Sequence, residues 1–128
     1  LLSVSCIVLA MDYKLDATNQ ILGRLASKVA LFLRGKDNPH FDPSRPSNNK
    51  VIILNPNKLR FSGKKKLNQK LYRRHSGFHG GLKEKRLADV MAKDSRLALR
   101  WAVRGMLPKN KLRQLFMKNL ILFKETER

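Results

Sequence analysis

Apolar positions along this chain fall into short periodic runs, separated by polar, proline-containing or glycine-containing breaks. Tyr13–Asp16 reads as a short strand. Ile21, Leu22, Leu25, Ala26, Val29, Phe32 and Leu33 then recur at helical spacing, with Arg24, Lys28 and Arg34 on the other side. Asn19 is the expected N-cap of this helix and Gly35 its C-cap. The apolar stripe is core. Pro39, Pro43 and Pro46 make 35–49 a loop. Val51–Leu54 is a continuous branched run, too short for a helix, and suits a strand buried on both faces. Asn55-Pro56-Asn57 turns the chain, and Leu59–Ser62 reads as a further short strand stopped by Gly63.

The second half continues the alternation. Lys70–Lys83, KLYRRHSGFHGGLK, begins strand-like and ends as a glycine-rich loop. Arg86–Lys93 is predicted to be a short helix with Leu87, Val90 and Met91 inward. Asp94 is the expected N-cap of a helix over Ser95–Gly105, with Leu97, Ala98, Trp101 and Ala102 as its buried stripe. Pro108 breaks that helix. Asn110–Asn119 is predicted to be the last helix, with Leu112, Leu115 and Phe116 inward, and Leu120–Phe123 a terminal strand. Four or five strands alternating with about four helices imply an α/β chain whose sheet is covered on both faces. No internal repeat or low-complexity tract interrupts it.

Composition sharpens this picture. The 128 residues suit one domain, large enough to bury roughly two-thirds of its unfolded surface. The charge is lopsided: 28 Lys and Arg against 9 Asp and Glu, a net +19. No acid occurs from Pro43 to Lys83 or from Ser95 to Lys124, windows with 11 and 8 basic residues, together 19 of the 28 cations. A solubility surface intersperses both signs. Clustered cations without anions are the electrostatic footprint of a polyanion, of which nucleic acid is the commonest. Within the first window, Lys64, Lys65 and Lys66 precede Arg73, Arg74 and His75 and are expected to face them across a strand pair. Arg96, Arg100 and Arg104 recur every four residues, where like charges repel along a helix unless an anion lies against them.

The chain carries few marks of an active site. There is no P-loop, GxGxxG or GxSxG pattern. His75 and His79 are four apart, but Gly77 between them argues against a helix aligning them as metal ligands. The acid-free windows lack the carboxylates of a metal-dependent nuclease. The expectation is therefore no enzyme, no metal and no cofactor. Cys6 stands alone, so no internal disulfide forms. No stretch has the length of a membrane span, and no homo-oligomer is expected. For the apolar residues 1–10 three readings stay open: sequence upstream of a true start at Met11, a structural extension, or a targeting remnant.

Three blocks carry a resemblance. DATNQILGRLASKVALFLRGK, YRRHSGFHGGLK and AVRGMLPKNKL occur in the order and spacing of large-subunit ribosomal protein L-thirteen, bacterial or organellar type. The likeness runs from about Tyr13 to Phe123. It implies a three-layer α/β/α sandwich with a small, mostly parallel central sheet of about four strands. Residues 1–12 would then be an N-terminal extension, 13–124 a single ribosomal-protein domain and 125–128 a C-terminal tail. It implies a structural constituent of the large subunit that binds large-subunit ribosomal RNA, touches neighbouring ribosomal proteins and supports early assembly, in bacterial cytoplasm, mitochondrion or plastid.

By this resemblance the RNA-facing residues are Lys64, Lys65, Lys66, Arg73, Arg74, His75, Arg104, Lys109, Asn110 and Lys111. Arg100 joins them from the charge pattern. Gly77, Gly80 and Gly81 would let the backbone approach RNA, while Gly105 and Pro108 would set the bend presenting Lys109 and Lys111. Tyr72 and Phe78 are candidates for stacking on bases, though Tyr72 equally suits the core. The chain departs from the family pattern at Asn49 (usually Asp), His79 (usually Pro), Arg86 (a helix-capping Thr) and Arg113 (usually Gly). A free-standing messenger-RNA-binding regulator and an RNA-processing enzyme are the alternatives.

Overall fold

The branched run at Val51–Leu54 organises the architecture, as β2 (Lys50–Leu54) at the centre of a three-stranded sheet. The computed structural model describes residues 11–63 and 65–124; the first ten residues, Lys64 and the 125–128 tail lie outside the described residues. Strand β1 (Asp12–Asp16) and a C-terminal strand, here β5 (Leu120–Phe123), flank β2, both parallel to it. The register aligns Tyr13, Val51 and Leu120, then Leu15, Ile53 and Leu122, so these six side chains share one face. Val51 and Ile53 are wholly buried there. The opposite face carries Ile52, Leu54, Ile121 and Phe123, each half-buried. One face of β2 is thus fully covered and the other partly.

The covering layer is α1 (Leu22–Arg34). Its stripe of Leu22, Leu25, Ala26, Val29 and Leu33 packs into the core with Val51 and Ile53. Full burial of one such side chain is worth about 1.5–3 kcal/mol. Gly35 closes the helix as expected, with φ +73 and its N–H on the carbonyls of Leu31 and Phe32. The start differs from expectation. Asn19 is no N-cap: it sits in a turn at φ +58, and Ile21 takes the cap position without a side-chain bond. The segment expected to be a strand at Leu59–Ser62 supplies the missing partner. The Leu22 N–H donates to the Arg60 carbonyl, and Arg60 returns a bond to Gln20, leaving a single parallel bridge instead of a strand. Backbone from a distant segment thus takes the Leu22 N–H, the one that an Asn19 cap would have accepted. The turn expected at Asn55-Pro56-Asn57 is one turn of 3-10 helix over Pro56–Lys58.

Beyond this unit, α2 (Lys66–Gln69) leads into β3 (Leu71–His75), which pairs antiparallel with β4 (Leu82–Arg86) as a separate hairpin. Then follow α3 (Leu87–Lys93), α4 (Ser95–Met106) and α5 (Leu112–Lys118). The α/β class and the small, mostly parallel sheet are as expected, except that among the described residues the central sheet has three strands and the other two stand apart.

Helix α4 lies between two cores. Leu99 and Val103 join the α1–β2 core, while Ala98 joins Leu87 and Val90 in a smaller one ringed by Tyr72, Leu97 and Trp101. The buried stripe expected at Leu97, Ala98, Trp101 and Ala102 is accordingly wider: Leu99 and Val103 are fully buried, and Leu97, Trp101 and Ala102 only half. Asp94 caps α4 as expected, accepting the Arg96 N–H. In α5 the helix begins at Leu112, two residues later than expected; Phe116 is buried, but Leu115 is 42% exposed.

Candidate nucleic-acid interface

The hairpin is built by its turn. Phe78 to Gly81 form a tight turn in which the Gly81 N–H donates to the Phe78 carbonyl, and the Ser76 N–H donates to the Gly81 carbonyl. Gly77 and Gly80 sit at φ +89 and +69, which disfavours any side chain, although open space surrounds both. Gly81 is held to glycine by crowding instead: a Cβ there would lie 2.0 Å from the Ser76 hydroxyl and 2.9 Å from the Phe78 carbonyl. All three glycines thus have a reason within the turn itself. The His75 Nδ1 accepts the Gly77 N–H at 2.9 Å, which braces the turn and leaves Nε2 pointing elsewhere.

The strand register sorts the hairpin's charges. Leu71 lies opposite Arg86, Tyr72 opposite Lys85, Arg73 opposite Glu84, Arg74 opposite Lys83 and His75 opposite Leu82. Alternation places Tyr72, Arg74, Lys83 and Lys85 on one face and Leu71, Arg73, His75, Leu82, Glu84 and Arg86 on the other. Arg73 bonds Glu84 at 2.6 Å. Arg74, Lys83 and Lys85 are exposed, and none has an acidic partner among the described residues. The adjacent arginines are therefore unequal.

The aromatic candidates separate as well. The Tyr72 ring meets Trp101 edge-on, with centroids 4.8 Å apart, and burial pushes its hydroxyl pKa up. Tyr72 anchors the hairpin to α4 and is not a stacking platform. Phe78, at the hairpin tip, is 79% exposed.

The lysine run is placed differently from expectation. Lys65 and Lys66 belong to the turn and short helix before β3, not to a strand opposite Arg73 and Arg74, because β4 takes that position. Both are exposed.

Arg100 and Arg104 are exposed on α4. Arg96 drops out of the expected row, since its guanidinium grips Asp94 through Nε and Nη2 at 3.0–3.3 Å. That contact holds the Asp94 carboxyl below its ordinary value. Gly105 lies inside α4, so it takes no part in the bend; the chain turns at Leu107, held extended (φ −79, ψ 149) before Pro108.

Lys109, Asn110 and Lys111 follow on an exposed loop. Asn110 and Pro108 line a shallow cleft of about 80 Å³ with Arg34, Phe41 and Arg45. Arg34 stands 5.8 Å from the Phe41 ring centre, and Arg45 pairs with Asp42 at 3.6 Å. The approach of Arg34 and Arg45 to this loop had no signal in the sequence, because it depends on how α1 and α4 pack. The candidate residues thus form two groups, the hairpin and the 109–111 loop. Helix α4 joins them, touching the hairpin through Trp101 and leading into the loop.

Among the described residues, no group of three or more His, Cys, Asp or Glu side chains could hold a metal ion. No described helix is long and apolar enough to cross a membrane.

The sequence profile of a family described as Ribosomal protein L13 matches residues 11–128. A large ribosomal subunit protein uL13 from Clostridioides difficile is 46% identical over 115 residues, covering 90% of this chain and 80% of the relative. A uL13 from Synechococcus sp. is 44% identical over 115 residues, 90% of this chain and 76% of the relative. One from Synechocystis sp. is 49% identical over 107 residues, 83% and 70% respectively.

Proposed function

The chain belongs to the Ribosomal protein L13 family of the large subunit, and we propose that it binds large-subunit ribosomal RNA as a non-catalytic structural constituent that supports early subunit assembly. The observation carrying this reading is the gathering of exposed cations on the hairpin, on α4 at Arg100 and Arg104, and on the 109–111 loop, around one helix. Lysine and arginine contacts to phosphate supply the affinity, because each neutralised phosphate releases condensed counterions. Phe78 offers its ring to an unpaired base. Neighbouring ribosomal proteins complete the set of partners, and the ribosome is the site of action. Nothing in the fold or in the relatives favours the messenger-RNA regulator, and the relatives named are bacterial.

The test is binding of the purified chain to in vitro transcribed large-subunit ribosomal RNA across a salt series, with cosedimentation with the large subunit at moderate salt. Affinity should fall steeply with salt. Phe78→Ala should weaken binding by about 1–3 kcal/mol without changing the salt slope, because stacking involves no counterion. A chain that neither cosediments nor responds to salt overturns the reading.

A further inference from the structure

We propose that the hairpin meets RNA with one face only, and that its phosphate-contacting set is Arg74, Lys83 and Lys85. Arg73, tied to Glu84, faces away. This deepens the RNA-binding reading and rests on it.

The two faces differ in kind. On the first, Arg74 lies directly opposite Lys83, and Lys85 stands two residues further along the same strand. Like charges opposed across a strand pair are destabilising. No acid relieves them among the described residues. The free protein therefore holds three cations in mutual repulsion, which an anionic lattice would relax. Lys83 and Lys85, as alternate residues of an extended strand, are about 6.8 Å apart along it. That spacing is comparable with the separation of successive phosphates on one nucleic-acid strand. Tyr72 shares this face and packs on Trp101, so the base of the cationic surface is fixed to α4. Arg104 follows Trp101 by three residues and lies on the same side of the helix, extending the surface.

On the second face, the charge of Arg73 is answered at 2.6 Å by Glu84. Leu71 and Leu82 beside it are 36% and 55% exposed. A phosphate placed at Arg73 would have to break a charge-assisted bond, meet the Glu84 carboxylate and lie against leucine; Arg86, at the far end of this face, is its one exposed cation without an acidic partner among the described residues. The first face requires none of these.

The experiment measures the salt dependence of binding by the full chain to in vitro transcribed large-subunit ribosomal RNA. Lys83→Gln with Lys85→Gln should lower the magnitude of the log–log slope by about 1.4 to 1.8, at roughly 0.7–0.9 for each phosphate no longer neutralised. Over a fourfold salt increase the variant should then lose about tenfold less affinity than the native chain. Lys83→Arg with Lys85→Arg should keep the native slope. Arg73→Gln with Glu84→Gln, which leaves net charge unchanged, should also keep it. So should Lys14→Gln with Lys36→Gln, which removes two exposed cations elsewhere. A native slope in the Lys83/Lys85 glutamine variant overturns the assignment. An equal fall in the Arg73/Glu84 or Lys14/Lys36 variant also does so. In those cases native binding stays steep and the wider reading survives. Absence of salt-dependent binding by the native chain overturns both.

Discussion

Asn49 shows how much one side chain can hold together. It is wholly buried. Its amide nitrogen donates to the Phe32 carbonyl at 3.0 Å, near the end of α1, and its oxygen accepts the Met11 N–H at 3.3 Å, ahead of β1. One residue thus ties the helix C-terminus to the entry of the sheet. A carboxylate could accept from Met11 but could not donate to Phe32, so an Asp would be poorly suited to this site. Asn49→Asp should lower stability in urea by about 1–3 kcal/mol at pH 7, the cost of an unsatisfied buried polar group. The deficit should shrink as pH falls, beginning above the ordinary carboxylate range because burial favours the protonated form, which can donate. Equal stability of the two proteins at pH 7 would sink this account. At the same scale, Asp94 is legible as a cap because its partner is two residues away. Asn19 looks like a cap and is not one, because its competitor, the Arg60 backbone, is distant in sequence and close only after folding.

At the scale of elements, the hairpin turn shows how His79 is accommodated. His79 occupies the second position of the four-residue turn Phe78–Gly81, followed by Gly80 at φ +69. A turn with positive φ at its third position suits proline at its second. Among the described residues the His79 N–H makes no backbone bond that proline would forfeit. His79→Pro should therefore raise the unfolding free energy by about 0.4–1 kcal/mol, through a less flexible unfolded chain. Thermal denaturation checks this, and a lowered midpoint would show that the turn needs another backbone angle at this residue. The hairpin is legible in the sequence as a strand and a glycine-rich loop. Its two-faced character is not, because Glu84 lies one residue beyond the acid-free window and reaches Arg73 only through the strand register. The position of the lysine run is hidden for a related reason: charge density does not reveal which strand β3 chooses.

For the molecule as a whole, charge governs the response to acid. Asp16 is held below its ordinary value chiefly by the Thr18 hydroxyl, Asp42 by the Ser44 hydroxyl and Asp94 by the Arg96 side chain. A carboxyl whose folded pKa is depressed contributes stability that is present above its unfolded value, here 3.8, and lost as pH falls through the folded value. The +19 chain then also loses negative charge and repels itself more strongly. Urea midpoints should fall as pH drops below about 4. Asp94→Asn should be less stable than the native chain at neutral pH and show a shallower acid limb. Parallel acid limbs in the two proteins would remove the Asp94–Arg96 pair from the explanation. The α/β class is legible from periodicity alone. The number of strands in the sheet is not, since short apolar runs such as Leu59–Ser62 do not reveal whether they will pair or serve another element.

The sheet order β1-β2-β5 also has a meaning in time. Synthesis proceeds from the N-terminus, and β2 receives its second neighbour from the last described element of the chain. Val51 and Leu120 are partners across 69 residues. At about 5–20 residues per second, that separation is roughly 3 to 14 s of elongation. Through that interval the nascent protein has helix α1 and two of the three strands of this sheet, with one edge of β2 still open. The hairpin and α4 are made within the same interval. The cationic elements therefore emerge before the fold that carries them can close.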